Sequence, residues 1–249
     1  MTGDPSSSRR LERAECIRWI AFDAVGTLIY ADPPVADVYH RVARKHGLRL
    51  TVEQIGRRFR AAFQRSEQDD FGTSEIWTHN DRLTTNEQHE RERWHQVVTS
   101  VFSEAEDSDA CFEELFADFE QPAAWKCFSD VAETLKLLQQ SGYHLAVASN
   151  FDARLHTICD GLPELKPLEL RIVSSLVGYR KPSVHFYRAL AQASGCRMEE
   201  ILMVGDDPVN DLRGARQAGC RSIQIRRQLG ASDMPQISNL GELVGVLGL

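Results

Sequence analysis

The sequence predicts an α/β protein, a doubly wound parallel sheet with an inserted α-helical domain. Short β-prone runs, each ending on or just before polar residues, alternate with segments whose apolar residues recur at helical spacing. Such alternation builds a parallel sheet covered by helices. The alternation is interrupted between residues 33 and 124, where apolar residues keep helical spacing and no buried strand is legible. With 249 residues, 42% of them hydrophobic, the chain can bury a substantial core as one large domain or two modest ones.

Residues 1–15 form a polar tail expected to fray. The core is expected over 16–32 and 125–249, and the helical insertion over 33–124. The first strand reads Ile17–Phe22 and leads into the loop Asp23-Ala24-Val25-Gly26-Thr27. Val38 and Val42, then Phe59, Ala62 and Phe63, then Trp94, Val97, Val98, Val101 and Phe102 mark helices. Between them the polar stretch Asp69–Gln88 reads as a loop. Asp130-Val131-Ala132-Glu133 has the spacing of a capping box, followed by Leu135 and Leu138 and stopped at Gly142. Further strands are expected at His144–Ala148, Leu170–Val173, Ile201–Val204 and Ser222–Ile225. Further helices span Ser183–Ala193 and Pro208–Ala218, with Gly195 and Gly219 just beyond their ends.

Thirty-six acidic against 29 basic residues give a net charge of −7 without a basic stripe, which argues against non-specific nucleic-acid binding. No apolar run approaches the roughly 20 residues of a membrane helix. The N-terminus shows no apolar signal-peptide segment. The six cysteines are scattered without a CxxC pair, which argues against a zinc site or a disulfide framework and fits buried thiols in the cytoplasm. The oligomeric state is left open.

In a doubly wound sheet, ligands bind beyond the carboxyl ends of the strands. Those ends carry Asp23, Thr27, Ser149, Asn150, Lys181, Asp206, Asp207 and Asp211. Clustered carboxylates repel one another unless a proton or cation lies between them. Mg²⁺ takes oxygen ligands, commonly one or two carboxylates plus phosphate, and Lys181 would neutralise remaining charge.

Four pieces, Phe-Asp23-Ala-Val-Gly-Thr27-Leu, Ala-Ser149-Asn150, Lys181-Pro182 and Val-Gly-Asp206-Asp207 with Asp211 four residues later, follow one another in this order. Together they resemble the haloacid dehalogenase (HAD) superfamily of hydrolases over nearly the whole chain. The resemblance implies a Rossmann-like core, a helical cap domain and a small phosphorylated substrate. It casts Asp23 as the nucleophile that becomes an aspartyl-phosphate. It implies Mg²⁺ held by Asp23, the backbone carbonyl of Val25 and Asp206, with Asp211 or Asp207 beside it. Ser149 and backbone N–H groups near Asn150 would bind oxygens of the transferring group, and Lys181 would hold that group and Asp23 by charge. Thr27 would orient the nucleophile loop, and Gly26 would bend it against the substrate.

One position departs from the family's phosphatases, which carry a second Asp two residues after the nucleophile. Here that residue is Val25, and general acid–base catalysis is worth about 10²–10⁴-fold. Three readings follow. The first is a Mg²⁺-dependent phosphohydrolase acting on an acyl phosphate or another substrate whose leaving group needs no proton. The second is a metal-free 2-haloacid dehalogenase, which Val25 and Tyr187 suit but Asp206 and Asp207 do not. The third is a catalytically impaired relative that keeps the fold for binding. The intact Asp206-Asp207-Asp211 set favours the first. His89 and His95, six residues apart, read as parts of a solvated helix rather than metal ligands. Arg57, Arg58 and Arg60 are candidates for greeting an anion, against the plainer reading of an exposed helix face.

Overall fold

In β1 (Trp19–Phe22), Ile20 and Phe22 face one side, Trp19 and Ala21 face the other, and all four are buried. A strand of this kind must be covered on both faces. A computed structural model describes residues 17–71, 83–227 and 236–249. The expected tail 1–15, Cys16 and positions 72–82 of the expected loop lie outside the described residues.

After β1 come β2 (Ile29–Ala31), α1 (Val35–Lys45), α2 (Val52–Phe71), α3 (Glu87–Val101) and α4 (Ser108–Asp118). Then follow β3 (Trp125–Cys127), α5 (Val131–Gln140), β4 (His144–Ser149), α6 (Arg154–Gly161), β5 (Leu170–Val173), α7 (Ser174–Val177) and α8 (Val184–Ser194). The chain continues through β6 (Ile201–Gly205), a wide π-type turn over Pro208–Arg213, α9 (Gly214–Ala218), β7 (Arg221–Ile225), β8 (Gln236–Ile237) and α10 (Glu242–Leu247). The described strands of the main sheet run β5-β4-β1-β6-β7-β8, all parallel. Phe22 pairs with Val147 on one side and Val204 on the other, so the carboxyl ends of β1, β4 and β6 lie side by side, within two residues of one another.

Each sheet face has its own core. Leu145, Val147, Leu202 and Val204 share one with α5, α6 and α10, through Leu135, Ile158 and Leu243. Ala146, Ala148, Ile201 and Met203 share the other with α8 and α9, through Phe186, Leu190 and Ala215. The π-type turn leads directly into α9, and Gly219 ends the latter in the left-handed conformation, at φ +95°.

The four helices α1 to α4 bury a third, separate cluster around Tyr39, Val42, Val98, Phe102 and Phe112. Asn86 and Asp107 cap α3 and α4 by accepting from His89 N–H and Ala110 N–H. Where the chain enters and leaves this unit, β2 and β3 form an antiparallel ribbon, with Ile29 opposite Cys127, that the sequence reading did not separate.

Several expectations are corrected. The stretch 69–88 is helical at both described ends, because α2 continues to Phe71 and α3 begins at Glu87. Asp130 forms no capping box: its carboxylate accepts instead from Arg227 and from Leu240 N–H, tying α5 to the C-terminal segment. The short edge strand β8 also went unread. Among the described residues, no helix is long and apolar enough to cross a membrane.

Candidate active site

Asp23 begins the loop after β1, and its N–H donates to Val204 O at 2.8 Å, so the neighbouring strand fixes its backbone. Its side chain is drawn to the ends of two more elements. Ser149, the last residue of β4, donates to Asp23 Oδ1 at 3.0 Å. Lys181 Nζ donates to the same oxygen at 2.7 Å, to Asp211 Oδ1 at 2.6 Å and to the Ala148 carbonyl at 2.9 Å. The ammonium is 2% exposed and has three acceptors, which satisfies its three donors. Burial alone would push its pKa down, but the charges of Asp211 and Asp23 outweigh burial and raise it.

Asn150 aims Lys181. Its side-chain amide donates to Lys181 O at 3.0 Å, and its Oδ1 accepts from Lys181 N–H at 2.7 Å. The sequence expectation put backbone N–H groups near Asn150 at the substrate; the Asn150 side chain is committed to the lysine's backbone.

Asp206 follows β6 and is exposed to the cleft, whereas Asp211 is 1% exposed. Carboxylate oxygens of Asp23, Asp206 and Asp211 lie within 4.8 Å of one another. The carboxyls of Asp206 and Asp211 are both raised well above the usual range. Burial is the main cause for Asp211, desolvation by the surrounding cleft walls is the main cause for the otherwise accessible Asp206, and the charge of Asp23 adds to both. Three carboxylates against one ammonium leave an excess of negative charge, and an all-oxygen donor set of this kind fits a hard divalent cation.

Two glycines permit this crowding. Gly26 has φ +86°, and a Cβ there would meet Asp206 Oδ2 at 2.6 Å. A Cβ on Gly205 would meet Asp211 Oδ2 at 2.1 Å. The Gly26 N–H donates to Ile29 O at 2.9 Å, so this residue shapes the loop rather than presenting its amide to a ligand.

Asp207 lies outside the carboxylate cluster. Its Oδ1 accepts from Val209 N–H and Asn210 N–H, both at 2.7 Å, so the acid caps the turn that follows. Its own N–H donates to Asp211 Oδ2 at 3.0 Å. Thr27 is fully buried, and its hydroxyl has no hydrogen-bond partner among the described residues. Its backbone ties the loop instead: the Thr27 N–H donates to Ala24 O at 3.4 Å, and its carbonyl accepts from Arg227. Tyr187 is fully buried and donates to Asn210 O.

A cavity of about 560 Å³ opens on Asp23 and extends to the four-helix unit. The Val25 side chain, 41% exposed, lines it. The arginines in its wall are Arg93, Arg154 and Arg180, none of which the sequence singled out. Arg57, Arg58 and Arg60 do not line it, and Arg58 pairs with Glu104 on the outer surface. His95 pairs with Asp109 at 2.7 Å. No motif marks the cavity arginines: Arg180 meets Glu90 and Glu67 from distant segments, and Arg154, though paired with nearby Asp152, stacks on the Phe116 ring from another helix.

A doubly wound sheet with an aspartate in the loop after its first strand, and a serine, a lysine and two further acids brought beside it from later segments, defines an α/β protein with a candidate active site at the strand ends. Residues 17–219 match the family of haloacid dehalogenase-like hydrolases, and the chain belongs to that family. It is similar to the mouse (Mus musculus) haloacid dehalogenase-like hydrolase domain-containing protein 3, 30% identical over 219 residues, which span 84% of this chain and 82% of that protein. Among solved structures it is similar to the HAD-hydrolase YfnB from Bacillus subtilis bound to magnesium, with TM-score 0.76 and 16% identity, covering 94% of this chain and 99% of that one. It is also similar to the 2-haloacid dehalogenase from Pseudomonas syringae pv. Tomato, with TM-score 0.60 and 21% identity, covering 93% and 98%.

Proposed function

We propose that this hydrolase transfers a phosphoryl group from a small phosphorylated molecule to Asp23 and then to water. The supporting observation is the convergence of the Asp23, Asp206 and Asp211 carboxylates on the single ammonium of Lys181. Asp206 and Asp23, with the carbonyl of Val25 and with Asp211 beside them, are the groups that would hold Mg²⁺. Its charge would offset that of the transferring group when bound.

Both side-chain hydrogen bonds to Asp23 fall on Oδ1, so attack is assigned to Oδ2. Lys181 keeps the carboxylate ionised and aimed, and it meets the negative charge that grows on the phosphoryl oxygens. Ser149 and the backbone N–H groups beyond it serve the same oxygens. Residues 33–124 act as a cap domain that shields the reaction from bulk water.

Val25 cannot protonate a leaving alcohol, so the reading is confined to substrates whose leaving group departs as a stable anion. The test is phosphate release from acetyl phosphate in MgCl₂, which should occur with the wild-type protein and vanish in Asp23→Asn. The open side chain of Val25 also favours a second reading, metal-independent dehalogenation, because halide leaves unprotonated. Chloride release from 2-chloropropionate in EDTA, with no phosphate released from acetyl phosphate, would replace the first reading by the second.

A further inference from the structure

The cavity beyond Asp23 has an uneven chemistry. Around Asp23, Lys181, Asp206 and Asp211 it is strongly polar. Where the four-helix unit and the loop after β4 form its wall, Phe59, Phe63, Trp94, Phe116, Phe119 and Phe151 contribute. All six are partly rather than fully buried, so aromatic surface remains for a ligand to cover. A volume of about 560 Å³ is in the range that encloses small organic ligands of several rings.

The charged groups in the remote wall are already paired with one another. Arg180 holds Glu90 at 2.6 and 2.7 Å and Glu67 at 3.2 Å, and Arg93 also binds Glu67. Arg154 holds Asp152 at 2.7 and 2.8 Å, with its guanidinium 3.6 Å from the Phe116 ring centroid. Among the described residues, two arginines against two glutamates, and one arginine against one aspartate, leave this wall neutral. A substrate carrying a second anionic group would find no surplus cation there, whereas a flat uncharged body would cover the rings.

Val25 supplies the second constraint. Its side chain stands in the cavity where the family's phosphatases place their proton donor, and it has no proton to give. An alkanol is then a poor leaving group. A phenol ionises near pH 10, as the tyrosine side chain does, and departs readily as phenolate.

We infer that the substrate is an aryl phosphate monoester, a phenolic phosphate whose uncharged aromatic body lies in this cavity. This rests on the phosphoryl-transfer reading above and narrows it. Asp23 Oδ2 forms a bond to phosphorus while the P–O(aryl) bond breaks. The electron pair leaves on the aryl oxygen, and the phenolate takes a proton from solvent. Water then attacks phosphorus, the Asp23–phosphorus bond breaks and the carboxylate is restored. The water's proton stays with the phosphate or passes to solvent.

The experiment compares 2-naphthyl phosphate, glycerol phosphate and acetyl phosphate in MgCl₂, with calorimetry on 2-naphthylmethylphosphonate and methylphosphonate beside it. Expected are a kcat/KM at least about 100-fold higher for the naphthyl than for the glycerol ester, and affinity at least about tenfold higher for the naphthyl phosphonate. Trp94→Ala should lower kcat/KM for naphthyl phosphate about tenfold more than for acetyl phosphate. Turnover of acetyl phosphate with no preference for the naphthyl ester, or equal affinities for the two phosphonates, overturns the inference and leaves phosphoryl transfer standing. Failure to turn over any of the three, acetyl phosphate included, overturns the phosphoryl-transfer reading itself. The phosphonate affinities come from the wild-type protein, so they decide the matter of the aromatic body even if Trp94→Ala fails to fold.

Discussion

Lys181 shows how much of the site depends on one side chain. It is the cation shared by Asp23 and Asp211, and Asp211 is 1% exposed. Replacing it with methionine leaves buried carboxylates facing each other, and breaking a buried pair typically costs about 3–5 kcal/mol. Lys181→Met should lower the urea-unfolding free energy by about that amount in EDTA. It should also cut the rate with acetyl phosphate by about 10²–10³-fold, the usual loss for one preorganised electrostatic donor. Unchanged stability would show that the acids are protonated or separated in solution. At Val25 the expectation runs the other way: Val25→Asp places a carboxyl in the cavity near Asp23 and should raise hydrolysis of glycerol phosphate at least about tenfold. An unchanged or lower rate would show that the missing acid is not what limits ester cleavage. These residues were legible in the sequence because each sits in a short motif at or beyond the carboxyl end of a strand, Lys181 being set off from β5 by α7. Asp207 was less so, because whether an acid caps a helix or meets a ligand depends on which way the backbone turns after it.

Between elements, α3 is fastened to the segment that carries Lys181. Glu90 of α3 is 2% exposed and binds Arg180, the residue before the lysine, and it also accepts from the Thr85 hydroxyl. The backbone adds to the fastening: Thr85 N–H donates to Gly178 O at 3.0 Å and Arg180 N–H to Leu83 O at 2.8 Å. Glu90→Ala removes the two shortest contacts of the buried Arg180 guanidinium and leaves it the longer one to Glu67, so it should cost up to about 3–5 kcal/mol. Adding Arg180→Met to it should recover part of that loss, giving a favourable coupling energy in a double-mutant cycle. Additive losses would mean the two side chains do not interact in solution. The helices and most strands of this molecule could be read from periodicity, which local apolar spacing records. The β2–β3 ribbon and β8 could not, since strands of three and two residues are too short to show a period. The Glu90–Arg180 pair could not either, because a charged residue on a helix reads as solvated until the opposing element is known.

Across the whole molecule, the interior is arranged as two cores on the sheet faces and a third among α1 to α4. Thiols are embedded in the first two. Cys159 belongs to one face and Cys220 to the other, while Cys127 packs against the first from β3. Burial raises all three, Cys159 to about 11 and Cys127 and Cys220 to about 12, from an ordinary value of 9.0. The unfolded chain therefore loses these protons at lower pH than the folded one. Between pH 9 and 11 the unfolded state binds fewer protons, so stability falls as pH rises. Below pH 9 the contribution is complete and flat. Above it, each thiol removes at most about 1.4 kcal/mol per pH unit until its folded value is reached. Urea midpoints should decline from pH 9 to 10, the range in which these thiols titrate in the unfolded chain. The double variant Cys159→Ala/Cys220→Ala should start lower, because the cores lose packed atoms, yet decline less steeply. Parallel declines would mean the alkaline loss comes from other groups and that these thiols titrate as if exposed. The slope is the quantity to compare, since it is set by the protons and not by the cavities the alanines leave.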